Sequence, residues 1–139
     1  MNQDKYEIWM FQPDLIRGDT VASEDLLKSI EKRGKTIVLA IPGSDEAKLL
    51  DFFGANASVN AADIDHIIVR PDVLKIEILE EFLHGTQQKL GIINRLGNYK
   101  SEIHIKEFMI AHQRLLGLSD RDIQALIIMK NSYIKGLEQ

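Results

Sequence analysis

The sequence contains no cysteine among its 139 residues. A disulfide framework and a thiolate metal site are therefore both excluded, and a metal ion would have to be held by histidine, aspartate or glutamate. The absence of cysteine also fits a reducing compartment. We expect a cytoplasmic protein, or an effector that is delivered without a cleaved signal peptide.

Long apolar runs are missing as well. No stretch approaches the roughly 18 apolar residues that a membrane-spanning helix needs. The first residues, MNQDKYEIWMF, carry an early acidic side chain and lack the long apolar segment of a signal peptide. We therefore expect a soluble protein that has no membrane partner.

Positive charge is sparse and scattered. Seventeen basic and 21 acidic residues give a net charge of -4, and no basic stripe or run is present. A nucleic-acid partner is therefore not expected. The hydrophobic content of 45% is sufficient for a core, and the length predicts a single domain over residues 1–139.

The first half of the chain predicts strands that alternate with helices. Residues 6–11, 35–42 and 65–70 are rich in β-branched or aromatic side chains and are predicted as strands. Five consecutive apolar residues in the second of these favour a central strand that is buried on both faces. Ser23 and Ser44 each predict the start of a helix. The small polar residues 55–63 predict a loop or a helical turn.

The second half predicts helices. One begins at Pro71 and runs to about residue 90, with Gly85 as a weak point where it could end. Residues 91–101 predict a loop, and Ser101 is expected to cap a helix over residues 102–116 whose apolar stripe includes His112 as a core histidine. Ser119 caps the last helix. The fold class is therefore α+β: a small mixed sheet of about three strands packed with helices, and a helical C-terminal half.

Residues 77–88, EILEEFLHGTQQ, combine carboxylates with an imidazole. Glu80 and Glu81 stand four and three residues before His84, so a helix places all three on one side. Such a cluster is how helices build metal sites and acid/base sites. A solvated helix face with a hydrogen-bonded histidine has the same pattern. Both interpretations stay open at this point.

The order of strand, EEFLH helix and later Glu102 helix resembles the zincin metallopeptidases, whose active helix carries His-Glu-x-x-His. The resemblance implies that Glu81 is the general base, that His84 is a zinc ligand and that Glu102, like the third ligand of gluzincin-like members, comes from the following helix. Glu80 occupies the position of the first histidine, which implies a carboxylate ligand there. A site with one histidine and two carboxylates suits Mn²⁺ or Mg²⁺ as well as Zn²⁺.

The same segment also resembles small C-terminal domains of bacterial polymorphic toxins, some of which carry EE-x-x-H-x-x-Q before a Glu-bearing helix. The implied function is a metal-dependent hydrolase of toxin type, in which a metal-activated water gives its proton to Glu81. Gln87 or Gln88 would bind substrate or support the ligands, and His104 and Glu107 would supply donors or further ligands.

Two other functions remain open. In the first, the same fold carries an inactive zincin-like site and binds a protein partner. In the second, an RNase-type toxin uses His84 and a glutamate as acid and base without a metal, although few basic residues near the site could hold phosphates. The expected partners are an immunity-type or substrate protein, and the apolar stripe of the last helix is either core or the face of a homodimer.

Overall fold

The computed structural model describes residues 17–59, 63 and 65–138. The strand predicted at residues 6–11 lies outside the described residues. The described residues divide into two compact units, one within Val21–Leu90 and a second that contains residues 17–20 and 91–138. This division does not test whether the chain is one folding domain, so the single domain stays a prediction.

The first unit contains all the described strands. Its elements are α1 (Glu24–Lys32), β1 (Thr36–Leu39), α2 (Asp45–Phe53), β2 (Ala57–Val59), β3 (His66–Val69) and α3 (Lys75–Lys89). The two predicted serine caps are confirmed: the Ser23 hydroxyl accepts from the Leu26 N–H, and the Ser44 hydroxyl accepts from the Ala47 N–H, both at 3.1 Å.

The described sheet has the order β1-β3-β2, with β1 parallel and β2 antiparallel to β3. The sheet is therefore mixed, as predicted. The prediction that residues 35–42 form a central strand is wrong for the described sheet, because β3 is central and Leu39 is exposed. β2 lies in the small, polar stretch that was predicted as a loop or a helical turn. A strand of three residues is too short to show a strand pattern in the sequence, and only its pairing with β3 identifies it.

Helices cover both faces of the sheet. Side chains from α1 and α3 pack with alternate residues of β3 on one face; the buried members are Ile30, Ala57, Ile67, Val69, Val73 and Ile78. Ile68 points to the other face, where it packs with Ala40 and with Ala47 and Leu50 of α2.

The start of α3 differs from the prediction. Pro71 does not begin the helix, because Leu74 is still extended and pairs with Val21 in an isolated antiparallel bridge. The helix begins at Lys75, where the Glu77 carboxylate accepts a 2.8 Å hydrogen bond from the Leu74 N–H. It then continues through the buried Gly85 to Lys89.

The second unit is helical in its described part. Its elements are α4 (Ile92–Leu96), α5 (Asn98–Ala111), α6 (Gln113–Leu116) and α7 (Asp120–Leu137). The loop predicted at residues 91–101 is wrong, since α4 and the first turn of α5 occupy it. Ser101 is buried inside α5 instead of capping it. The fold class, α+β with a helical C-terminal half, is confirmed.

His112 interrupts the helix predicted over residues 102–116. Its ring stacks on Phe108 with centroids 4.2 Å apart, and its Nδ1 lies 2.8 Å from the Phe108 carbonyl oxygen. The side chain is exposed, so the prediction of a core histidine is wrong. A histidine that bonds to its own helix needs no buried partner, which the apolar spacing could not indicate.

The start of α7 is capped as predicted and joins a second segment of the same unit. The Ser119 hydroxyl accepts from the Asp122 N–H at 3.0 Å, and the Asp122 carboxylate accepts from the Ser119 and Asp19 N–H groups at 3.1 Å. Burial by itself raises the pKa of Asp122, but the hydrogen bonds from Ser119, Thr20 and Asp19 outweigh it and lower that pKa below the ordinary 3.8.

The helices of the described residues differ from membrane spans in length or hydropathy. None of them, within residues 17–59 and 65–138, is both long enough and apolar enough to cross a bilayer.

Candidate metal centre

The three glutamates and the histidine of α3 fall into two pairs, and the members of each pair lie one helical turn apart. Glu77 accepts from the Asn56 side-chain amide at 2.8 Å, in addition to its bond from Leu74. Glu81 accepts from the backbone N–H of Val59, in β2, at 3.1 Å. These two carboxylates therefore connect α3 to the chain segment that enters and forms β2.

Glu80 and His84 form the second pair and are both partly buried. Together with Glu102, which is also partly buried, each offers one ligand atom, and these three atoms all lie within 4.8 Å of one another. These are the side chains that the sequence predicted as ligands, and their role as ligands stays a prediction. A group of this composition could hold a metal ion.

The donor set can be tested against the geometry of metal ions. Two ligand atoms bound to one ion at about 2.1 Å are at most about 4.2 Å apart, so a spacing of up to 4.8 Å needs only a small inward rotation of the side chains. Two carboxylates and one imidazole suit Zn²⁺, Mn²⁺ and other divalent ions. The residues therefore fit a divalent metal, and nothing in the donor set selects zinc.

Glu102 has a further partner that the sequence reasoning missed. The Lys106 ammonium donates to its Oε1 at 2.7 Å, one helical turn along α5, and lies 5.1 Å from the centre of the Tyr133 ring. Lys106 is only 1% exposed. The Glu-x-x-x-Lys spacing of residues 102–106 was visible in the sequence, but that spacing is typical of exposed helix pairs and gave no sign of burial.

The lysine and a metal ion can share the carboxylate. A carboxylate has two oxygens, and the Lys106 bond occupies Oε1. Hydrogen bonds of this kind fix the orientation of a ligating side chain. The arrangement is therefore compatible with Glu102 as a ligand.

Contacts at the end of α3 hold this helix against the sheet. Asp65, which precedes β3, lies 3.1 Å from the Lys89 ammonium and 2.9 Å from that of the buried Lys35. The hydrogen bond from Lys35, followed by that from Lys89, lowers the pKa of Asp65. With the bonds of Glu77 and Glu81, α3 is attached near its start, its middle and its end, which keeps Glu80 and His84 on a fixed support.

The remaining predicted site residues differ in their exposure to solvent. Gln87 is buried, whereas Gln88, His104 and Glu107 are exposed. The assigned roles of these residues, and that of Glu81 as general base, stay predictions.

Comparison with known proteins gives no relative from which a role could be transferred. The chain matches no family model, no curated protein and no solved structure. The resemblance to zincins and to toxin domains rests on the residues themselves and stays a prediction.

Proposed function

We propose that this protein is a metal-dependent hydrolase whose divalent ion would be held by Glu80, His84 and Glu102. The observation that carries the proposal is the approach of these three ligand atoms to within 4.8 Å of one another. The attachment of α3 to the sheet supports it, because a metal site needs ligands on a rigid element.

The chemistry follows from the donor set. A divalent ion bound there would lower the pKa of its water and make it a nucleophile near neutral pH. Glu81 would accept the proton. Its hydrogen bond from the Val59 N–H holds the carboxylate in place. Buried Gln87 would support the ligands from the next turn of α3.

The finer assignment is a peptidase-like hydrolase of bacterial toxin type that uses zinc or another divalent metal. It is supported by the EEFLH segment and the later Glu102, which resemble the zincin pattern. An enzyme of this kind would act in the cytoplasm or be delivered as an effector, and its protein partner would be a substrate or a neutralising protein of immunity type.

Elemental analysis tests the metal site. Protein purified without chelator is expected to contain one divalent metal per chain, and His84→Ala is expected to contain none because it removes the only imidazole ligand of the group. His112→Ala is the matched control, since it removes an exposed histidine that has no role in the proposed site. Circular dichroism verifies that each variant is folded.

A second set of variants separates ligand from base. Glu102→Gln should weaken metal binding, whereas Glu81→Gln should retain the metal and lose about a hundredfold or more of any hydrolytic activity. A folded wild-type protein that takes up no divalent metal, even when metal is added, would contradict the proposal. It would favour the protein-binding module, or the RNase if the metal-free protein cleaves RNA.

A further inference from the structure

The outer edge of β1 carries backbone groups that do not bond to β3. The N–H groups of Thr36 and Ala40 donate to the Asp65 and Val69 carbonyls at 2.6 and 2.7 Å. Since successive residues of a strand direct their N–H and C=O groups to opposite edges, those of Ile37 and Leu39 point away from β3. Within the described residues, no strand pairs with this edge, and the Leu39 carbonyl accepts only a local bond from the Ile41 N–H.

Apart from its short length, this edge lacks the usual protection against pairing. Natural edge strands carry lysine, proline or a bulge that prevents association with another chain. The four residues of β1, TIVL, include no charge and no proline. Leu39 and Ile41 are 49% and 63% exposed, so apolar side chains lie beside the outward backbone groups.

We propose that the β1 edge, defined by the backbone of Ile37 and Leu39 and the exposed side chains of Leu39 and Ile41, pairs with the same edge of a second copy. The pairing is antiparallel, with Val38 opposite its own counterpart. In this register the N–H groups of Ile37 and of the partner's Leu39 each donate to the other residue's carbonyl oxygen. The two-fold symmetry forms the same two bonds between Leu39 and the partner's Ile37. The contact closes as a two-fold dimer and leaves neither β1 edge open.

Charge at the two ends of β1 favours the antiparallel direction. Exposed Lys32 and Arg33 precede the strand, and Asp45 and Glu46 follow it in the first turn of α2. An antiparallel pair brings the basic end of one copy beside the acidic end of the other. A parallel pair would place like charges together, which is unfavourable.

Single cysteines test the register directly, because the chain contains no other cysteine. Residues directly opposite in an antiparallel pair have Cα atoms about 4.5–5.5 Å apart, within the range of a disulfide. Val38→Cys is therefore expected to form a disulfide-linked dimer under mild oxidation. Leu39→Cys is the matched control: its counterpart is displaced by two residues on the partner, beyond the roughly 7 Å limit.

Mass measurements test the association of the unmodified chain. The apparent mass should rise from 15.8 kDa towards twice that value as concentration increases. Leu39→Lys should raise the dissociation constant at least about tenfold, because it places a charge at the centre of the interface. Phe52→Lys, on α2 at a residue that is 84% exposed, should leave the constant unchanged.

Three results would overturn the proposal. The first is a wild-type chain that stays monomeric at every concentration. The second is equal cross-linking of Val38→Cys and Leu39→Cys, and the third is a dimer that Phe52→Lys disrupts and Leu39→Lys does not. Chelator should not change the mass, so this proposal and that of the metal site fail independently.

Discussion

The two units hold their buried or partly buried carboxylates in different ways. In Val21–Leu90, Glu77 and Glu81 of α3 accept hydrogen bonds from the segment that contains β2, so they connect a helix to a sheet. In the second unit, Glu102 pairs with Lys106 of its own helix, and Asp122 accepts backbone N–H groups at the start of α7. A sheet edge presents N–H groups to a neighbouring helix, whereas a helix presents them only at its N-terminus.

This difference explains why Glu80 and Glu81, which are adjacent in α3, make different kinds of contact. Glu81 is engaged with β2, and Glu80 belongs to the group that could hold a metal ion. Glu80 and Glu81 are neighbours in sequence but project about 100° apart around a helix. The EE dipeptide therefore combines a structural contact with a candidate ligand.

The largest effect is expected where a carboxylate connects two elements. Glu77→Ala removes the bonds from the Leu74 N–H and the Asn56 amide, and should lower the free energy of unfolding by about 2–3 kcal/mol. Glu24→Ala is the control, since it removes an exposed first-turn carboxylate of α1 and should cost only a few tenths of a kcal/mol. Urea titration of both variants provides the comparison. Equal losses would show that the bonds from Leu74 and Asn56 contribute nothing.

A smaller effect is expected for the ion pair inside one helix. Lys106→Met keeps much of the buried stem but leaves Glu102, which is partly exposed, without its ammonium, and should cost about 1–2 kcal/mol. The control is Lys28→Met, which breaks the exposed pair with Glu24 at the same i, i+4 spacing and should change stability by less than about 0.5 kcal/mol. If the two substitutions lower the midpoint of thermal unfolding equally, the burial of Lys106 contributes nothing to stability.

The smallest effect concerns Asp122 and is a change in how stability depends on pH in acid. Its pKa is lowered in the folded state, so the folded protein holds the charged form more tightly than the unfolded chain does. The contribution to stability is therefore full above the ordinary value of 3.8 and is lost as the pH falls through the lowered pKa. Asp122→Asn should reduce this acid-dependent loss in urea titrations made from neutral pH downwards.

The control for the acid measurement is Asp120→Asn. It removes an exposed carboxylate from the same first turn of α7 and should keep the wild-type loss of stability in acid. An Asp122→Asn variant with the same pH dependence as the wild type would show that its hydrogen bonds do not favour the charged form.

Local signals predicted the fold class and most helix starts. Ser23, Ser44 and Ser119 cap the helices that follow them because a cap depends on residues only two or three positions away. Two of the errors occur where the partner is distant in sequence. β2 exists only by pairing with β3, and the start of α3 is delayed because Leu74 pairs with Val21.

The candidate site was predicted in composition but not in its surroundings. The sequence indicated Glu80, His84 and Glu102 by helical spacing and by resemblance. It could not indicate that Glu81 bonds to Val59 or that Lys106 is buried beside Glu102. Each of these depends on an element far away in sequence, and no periodicity within α3 or α5 reports it.

The sequence by itself determined the serine caps of α1, α2 and α7, the class of the fold, the exclusion of thiolate ligands and the residue types available to a metal. Only the tertiary structure decided which strand is central, which carboxylates of α3 are engaged with β2, and that an edge of β1 faces outward within the described sheet. The physical reason is the distance along the sequence over which each interaction acts. Capping and helical spacing act over a few residues, whereas strand order and the burial of charge depend on segments that meet only after folding.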